Sequence, residues 1–190
     1  MTDDELTWRR LGSHAGPRLP LFDVRFDDME HPESGEVLSR LVLSSVDWVN
    51  LVALTPDGES VMVRQFRFGV GYPTLETPGG MVDPGEDSLT AARRELAEET
   101  GFTGGRWTYL GAVEPNPAFH DNLCHHWLAE GVARTQAQNT GGGEHIHVTL
   151  MREAEVRAAV RDGTIRHALA LSALSRVFDL WPRPFRQPPP

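Results

Sequence analysis

The chain has 190 residues, of which 24% are charged and 39% hydrophobic, and it carries a formal net charge of −9. These values are typical of a globular protein of one domain with an appendage, long enough to bury a sizeable core. The negative charge argues against general binding to nucleic-acid backbones, which depends on clustered cations. No stretch approaches about 18 consecutive apolar residues, so no membrane span is predicted.

The single cysteine, Cys124, excludes an intrachain disulfide, and the first residues contain no apolar signal-peptide core. A cytoplasmic protein is therefore expected. Cys124 lies in the apolar run 123–132, which is typical of a buried strand thiol, and we assign it no chemical role.

Two β-hairpins are the first elements predicted along the chain. Alternating polar and apolar residues at 21–26 and 36–44 flank turn residues and predict an N-terminal antiparallel hairpin. A second hairpin is predicted at 49–54 and 60–66, on either side of a Thr-Pro-Asp-Gly turn. We assign residues 1–45 to an N-terminal β-hairpin region and residues 46–181 to the main domain.

A helix of about residues 88–100 comes next. Asp87 or Ser88 can cap its start, and Gly101 suits the position after its last turn. An apolar stripe predicts its buried face and consists of Leu89, Ala92 and Leu96.

The remaining predicted elements are three strands followed by two helices. Strands are predicted at 107–113, 123–132 and 146–150. Helices are predicted at 153–160 and 165–180, separated by an Asp-Gly turn. The proline-rich tail, residues 182–190, is expected to be irregular.

The helix at 88–100 carries an unusual acidic face. Glu95, Glu98 and Glu99 fall within an arc of about 100°, so their carboxylates are expected to converge. They lie toward the C-terminal end, where the helix dipole disfavours negative charge, so a compensating cation is expected. Arg94 can pair with Glu98, and clustered carboxylates also suit Mg²⁺ or Mn²⁺. An acidic, solvated helix face is the alternative for an isolated Glu-Glu pair.

The whole run from 80 to 102 resembles the signature of the Nudix hydrolase superfamily. Phe102 departs from the aliphatic residue that is usual at the last position of that signature, and Leu96 fills its aliphatic slot. The matching identities, at the signature's spacing, are Gly80, Glu86, Arg94, Glu95, Glu98, Glu99 and Gly101.

The resemblance implies an α/β fold, an α/β/α sandwich with a mixed central sheet, here preceded by a small N-terminal antiparallel sheet. It also implies a loop–helix–loop site for Mg²⁺, with Mn²⁺ as a substitute. By position, Glu95 and Glu99 resemble the principal metal ligands, and Glu98 resembles a further ligand or water-bridged partner.

Three more residues take their expected roles from the same resemblance. Arg94 would orient the carboxylates of the helix. Glu86 resembles the loop glutamate that steadies or supplements the site, and the carbonyl of Gly79 resembles a backbone ligand.

Outside this signature, residues 63–67 and 75–80 resemble the ADP-ribose pyrophosphatase and nucleoside-diphosphate-sugar hydrolase branch. That branch implies cleavage of ADP-ribose, or of an NDP-hexose such as GDP-mannose, to a nucleoside monophosphate and a sugar phosphate. Residues 114–121 are similar to its substrate-recognition loop but depart from the commoner Pro-Ser-Pro-Gly-Phe version. The branch also implies a homodimer formed through the N-terminal region.

Candidate substrate contacts lie on the strands and in this loop. Arg67, and less strongly Arg64, are expected to contact the diphosphate, with a strand-end surface arginine as the alternative for Arg67. Trp48 can stack on a base or ribose, although packing in the core is the commoner role of tryptophan. Phe119 and His120 are the expected contacts from the loop.

Glu144, in a glycine-rich segment, is the candidate general base or additional metal ligand, because it is the only carboxylate between Glu130 and Glu153. Flanking glycines would let it move toward the substrate. Paired histidines nearby raise the alternative of zinc, but no cysteine pair or HExxH helix completes a ligand set.

Two other functions share the same signature. One is hydrolysis of nucleoside triphosphates or dinucleoside polyphosphates, which differs in its products. The other is a non-catalytic metabolite sensor, against which the intact acidic signature and the absence of a basic recognition helix both argue.

Overall fold

A computed structural model describes residues 2–141, 143 and 145–181. Contacts divide the chain into two compact units, one of Met1–Val46 with Glu114–Leu123 and one of Asp47–Val113 with Cys124–Pro190. The predicted general base, Glu144, and the tail 182–190 lie outside the described residues.

The first unit is built on a three-stranded antiparallel sheet in the order β1-β2-β3. A short helix, α1 (Asp3–Leu6), precedes it. The three strands are β1 (Arg9–Arg18), β2 (Asp23–Glu30) and β3 (Val37–Ser44). β2 and β3 confirm the predicted hairpin, whereas β1 was not predicted, because its sequence does not alternate between polar and apolar residues.

The second unit contains a seven-stranded sheet in the order β10-β5-β4-β9-β8, with β6 paired to β5 and β7 paired to β4. β4 and β9 are parallel and the other pairs are antiparallel, so the sheet is mixed. Its strands are β4 (Trp48–Leu54), β5 (Ser60–Arg67), β6 (Tyr72–Glu76), β7 (Gly79–Met81), β8 (Phe102–Val113), β9 (Cys124–Arg134) and β10 (His147–Met151).

Three helices cover this sheet: α2 (Ser88–Thr100), α3 (Glu153–Arg161) and α4 (Ala168–Ser175). Successive residues of β4 pack into different cores, as expected for a strand covered on both faces. Leu51 belongs to the core that contains the buried residues of α2, and Val52 to the core that contains those of α3 and α4. The second unit is therefore a sandwich of helices around a mixed sheet.

Two details of the helices differ from the sequence prediction. The last helix is shorter than 165–180, because the His167 side chain accepts the Ala170 N–H at 3.4 Å and begins the helix at Ala168. On α2, Leu89 is only half-buried, and the fully buried apolar residues are Ala91, Ala92 and Leu96. Within the described residues, no helix has the length and apolar character needed to cross a membrane.

Candidate active site

Local signals set both ends of α2. The Asp87 carboxylate accepts the N–H groups of Leu89 and Thr90, each at 3.0 Å, which satisfies two donors that a helix start leaves unpaired. Gly101 ends the helix with φ 76°, a left-handed conformation that favours glycine. The acidic residues of α2 are therefore presented from a helix with defined ends.

Two glycines of β7 allow this strand to lie close to β4 on one side and to α2 on the other. A Cβ atom on Gly79 would collide with the carbonyl oxygen of Val49. A Cβ atom on Gly80 would collide with the carboxylate of Glu95 on α2. Only glycine fits at either position without displacing its neighbour.

The carboxylates of Glu95 and Glu99 both lie against the Gly79–Gly80 segment. Glu99 is only 4% exposed, and its Oε2 accepts the N–H of Gly79 at 3.0 Å. Glu95 lies directly over Gly80, where a side chain would otherwise be. The structure thus brings two of the predicted metal ligands to the segment that contains the predicted backbone ligand.

Arg94 connects the acidic residues of the loop and the helix. Its guanidinium donates to Glu95 at 2.8 Å, to Glu98 at 3.3 Å and to Glu86 at 2.9 Å. It also donates to the carbonyl of Met81 at 2.9 Å. These contacts raise the pKa of Arg94 above its usual range, chiefly through Glu86, and the Arg94 hydrogen bond in turn lowers the pKa of Glu86 despite its burial.

The donor set suits a hard divalent cation. Carboxylates and a backbone carbonyl are the oxygen ligands that Mg²⁺ and Mn²⁺ prefer. Glu98 is more exposed than Glu95 and is directed to Arg94. Among the residues that the structure describes, no group of three or more Asp, Glu, His or Cys side chains is arranged so that it could hold a metal ion. Full convergence of the three glutamates, expected from helix geometry, is therefore not seen.

Gln138 and Asn139 are anchored to the C-terminal end of α2. The Gln138 side chain donates to the backbone carbonyls of Glu99, at 2.6 Å, and of Ile146, at 3.1 Å. The N–H of Asn139 donates to the carbonyl of Glu98 at 2.8 Å. Described residues close to Glu144 on both sides are thus tied to the acidic helix.

Arg67 has a buried partner that the sequence did not reveal. Its guanidinium donates two hydrogen bonds, at 2.9 and 2.7 Å, to the carboxylate of Glu76, which is fully buried. Thr74 also donates to Glu76, and His167 lies 3.8 Å from it. Although burial opposes it, this set of partners lowers the pKa of Glu76, so the carboxylate is ionised beside Arg67.

The other predicted substrate contacts fall in different places. Arg64 is exposed on β5, and Trp48 is half-buried at the start of β4, opposite Met81 of β7 and Cys124 of β9.

Burial raises the pKa of Cys124 to about 12, so it is an unreactive thiol at neutral pH.

Phe119 and His120 belong to the first unit. The carbonyl of Phe119 accepts the N–H of Leu43 at 2.7 Å, and the His120 ring lies 5.2 Å from that of Phe22. Asp121 in the same loop accepts from Arg25 at 3.1 Å. The predicted recognition loop is thus packed on the N-terminal sheet, although residues from the second unit flank it along the chain.

Several polar residues of the second unit were not assigned a role from the sequence. Glu76 and Thr77 lie within the stretch 75–80 that resembles the nucleoside-diphosphate-sugar hydrolase branch, whereas Asn50 and Gln138 are single polar residues without a periodic or motif signal. These residues are Asn50, Glu76, Thr77 and Gln138.

Comparisons with known proteins identify the family and the fold of the chain. The sequence profile of the NUDIX domain matches residues 46–171. The chain is similar to an ADP-ribose pyrophosphatase of Bacillus subtilis, with 34% identity over 110 residues, 58% of this chain and 59% of that protein. An ADP-ribose pyrophosphatase of Mycobacterium tuberculosis is 30% identical over 163 residues, 83% of this chain and 76% of that protein.

The matched part therefore spans about three fifths of the first of these relatives. A crystal structure of an ADP compounds hydrolase superposes with a TM-score of 0.78 at 23% identity, covering 90% of this chain and 91% of that one. This likeness confirms the predicted fold class.

Proposed function

The chain belongs to the Nudix hydrolase family, and on that premise we propose that it is a divalent-metal-dependent pyrophosphatase of nucleoside diphosphate sugars. The substrate is ADP-ribose or an NDP-hexose such as GDP-mannose. Hydrolysis of its diphosphate bond yields a nucleoside monophosphate and a sugar phosphate.

The observation that carries this proposal is the approach of Glu95 and Glu99 to the Gly79–Gly80 segment. In this proposal, Glu95, Glu99 and the carbonyl of Gly79 would hold Mg²⁺ or Mn²⁺, with Glu98 as a further ligand. A bound divalent cation neutralises diphosphate charge and makes a coordinated water more acidic.

Arg94 has the role of orienting these carboxylates. It contacts Glu86, Glu95 and Glu98 at once, so its cationic charge offsets their mutual repulsion. Glu86 holds the guanidinium from the loop side, and its low pKa keeps it anionic there. In this proposal Arg94 and Glu98 serve the chemical step by position and charge, and Glu144 accepts the proton of the attacking water.

The substrate class is supported by the names of the two bacterial relatives, both ADP-ribose pyrophosphatases. Trp48, Phe119 and His120 are proposed contacts for the base or sugar. Arg64 is a proposed diphosphate contact. For Arg67 the same role requires that it contact the substrate while it remains paired with Glu76, because a buried carboxylate without its partner is strongly destabilising.

The proposal extends to the protein's environment and assembly. A cytoplasmic homodimer formed through the N-terminal region accords with the resemblance to the nucleotide-sugar branch. Small-molecule nucleotide sugars, rather than nucleic acid or membrane, are its proposed partners, in keeping with the net charge of −9.

A substrate panel tests the proposal. ADP-ribose, GDP-mannose, UDP-glucose and a nucleoside triphosphate are incubated with the protein and Mg²⁺, and the products are resolved by chromatography. We expect a nucleoside monophosphate and a sugar phosphate from at least one sugar nucleotide, with kcat/KM lowered about 100-fold or more by Glu99→Gln. Preferential cleavage of the triphosphate would favour the alternative activity, and no turnover of any substrate would favour a sensor.

A further inference from the structure

The register between β4 and β7 sets the direction of the Gly79 peptide groups. Asn50 lies opposite Gly79, and the N–H of Leu51 donates to the carbonyl of Pro78 at 3.0 Å. Asn50 and Gly79 are therefore a non-hydrogen-bonded pair of the antiparallel ladder. In such a pair, the N–H and C=O of Gly79 both point away from β4. The N–H of Gly79 donates to Glu99 on the side away from β4, so the carbonyl of Gly79 is directed to that side as well.

A buried polar contact between Asn50 of β4 and Thr77 holds the Gly79 segment from the side of β4. Asn50 is 5% exposed and Thr77 is 2% exposed. The Thr77 hydroxyl donates to Oδ1 of Asn50 at 2.5 Å, and Nδ2 of Asn50 is 3.5 Å from the carbonyl of Thr77. A Cβ atom on Gly79 would lie 2.9 Å from Nδ2, so the Asn50 amide also lies directly against the Gly79 α-carbon.

Asparagine is an unfavourable choice for this strand position. It has a low β propensity, and a buried amide is costly unless it is hydrogen-bonded. Val49 and Leu51, on either side of it, are buried apolar residues of the sheet. Pro78 and the two glycines that follow form little β structure of their own, because proline lacks a donor and glycine has the largest conformational freedom. The Asn50–Thr77 contact supplies the constraint that these residues lack.

We propose that Asn50 and Thr77 are positioning residues that fix the direction of the Gly79 carbonyl for a divalent cation. This inference rests on the proposed function, because it assumes that the Gly79 carbonyl is a metal ligand. Asn50 and Thr77 themselves touch neither metal nor substrate. They act through the Gly79 peptide, as outer residues that orient metal ligands do in other proteins.

The test measures binding of Mn²⁺ alone, followed by the electron paramagnetic resonance signal of the free ion, without substrate. Thr77→Val keeps the side-chain shape and removes the donor, and Asn50→Thr keeps a residue suited to a strand but is too short to form both contacts. Each is expected to raise the Mn²⁺ dissociation constant about tenfold. Thr77→Ser restores the hydroxyl and is expected to stay within about twofold of the wild type.

Ser60→Ala is the matched control. Ser60, the first residue of β5, has a buried hydroxyl in the same sheet and is 1% exposed. It lies opposite Leu54, which is at the far end of β4 from Asn50. Its loss is expected to leave the Mn²⁺ dissociation constant unchanged. A role in stability alone would instead lower the melting temperature of Thr77→Val without changing metal affinity. At saturating metal, kcat of Thr77→Val is expected to stay within about threefold of the wild type, because the deficit lies in binding.

The possible outcomes separate this inference from the proposed function. If wild type binds Mn²⁺ more tightly than Glu99→Gln does, but Thr77→Val and Asn50→Thr bind like wild type, the positioning role is wrong and the metal site stands. If Thr77→Val does not fold, Asn50→Thr decides the matter by the same measurement. If wild type and Glu99→Gln bind Mn²⁺ equally, the metal site is wrong, and both proposals fail together.

Discussion

Arg94 and the two glycines of β7 show how single residues shape the candidate site. Arg94 neutralises a set of acidic side chains that would otherwise repel one another at the C-terminal end of a helix. Gly79 and Gly80 remove the side chains that would separate these acids from the backbone of β7. The arrangement therefore depends on the lack of side chains at Gly79 and Gly80 as well as on the charge of Arg94.

Gly80→Ala is the sharpest test at this scale. The new Cβ atom would occupy the place of the Glu95 carboxylate, so that side chain must move. We expect kcat/KM to fall about 100-fold, a loss of about 2.7 kcal/mol in transition-state stabilisation, while the fold is retained.

Gly69→Ala is the control for that substitution. A Cβ atom at Gly69 meets no atom within 4 Å, so the variant adds the same methyl group to an open position. Its kinetics and melting temperature should match the wild type. Equal activity of Gly80→Ala and Gly69→Ala would contradict the close approach of Glu95 to β7.

At the scale of elements, α2 was predicted correctly because its signals are local. A capping carboxylate and a left-handed glycine determine where the helix begins and ends, whatever surrounds it. The bounds of the last helix were predicted less well and β1 was not predicted, for two different reasons. A histidine cap shortens α4, and β1 is held by pairing with β2 rather than by its own pattern.

His126 links two elements and gives the protein a predictable pH dependence. It is fully buried on β9, and its Nε2 lies 3.0 Å from the Ser172 hydroxyl of α4. Burial, with a smaller effect of the positive charge of Arg176, lowers its pKa from 6.5 to about 4. The folded protein therefore holds a neutral imidazole in the range where the unfolded chain takes up a proton.

Acidification should consequently destabilise the fold. As the pH falls below 6.5 toward about 4, the unfolded state binds the extra proton and the free energy of unfolding decreases. The contribution of His126 is up to about 1.4 kcal/mol per pH unit. Urea unfolding at several pH values measures it, and His126→Gln should flatten the slope.

The slope has further contributors, because the lowered pKa values of Glu76 and Glu86 add to it at the acid end of this range, and it has a suitable control. Burial also lowers the pKa of His167, so part of the dependence should persist in His126→Gln. His147→Gln removes an exposed histidine of β10 and should leave the slope unchanged. A His126→Gln slope equal to that of the wild type would show that His126 does not titrate in this way.

At the scale of the whole molecule, the chain contributes residues 114–123 to the unit formed by its N-terminal sheet. The pairing of β8 with β9 continues to Val113 and Cys124, and the residues between them join the first unit. Arg25, Ser44 and Asp121 form the polar contacts that attach this loop to that sheet.

The proposed homodimer makes a prediction at this scale. Phe26 and Leu41 are directly opposite each other on β2 and β3, and their exposed fractions are 38% and 46%. Val37 lies on the same face and is 51% exposed. Exposed apolar side chains on one sheet face are typical of a surface that another chain covers, and here Asp28 and Ser39 lie between Leu41 and Val37 on that face.

Leu41→Glu should therefore convert a dimer to a monomer, as measured by light scattering after size exclusion. Leu150→Glu, which changes an exposed leucine on β10, is the control and should leave the mass unchanged. A monomeric wild type, or a Leu41→Glu variant with the mass of a dimer, would contradict an interface through this face.

Taken by itself, the sequence determined the family, the acidic helix with its caps, and the order of most strands. These features follow from residue spacing, because helix periodicity and local hydrogen bonds act within a few residues. Only the tertiary structure decided how Glu95 and Glu99 meet the Gly79–Gly80 segment, with Asn50 behind it, whereas the pairing of Arg94 with Glu98 already follows from their spacing. The tertiary structure likewise paired Arg67 with Glu76 and attached the 114–123 loop to the N-terminal sheet. These contacts join different strands, helices and loops, and a single buried polar residue leaves no periodic signal that could reveal its partner.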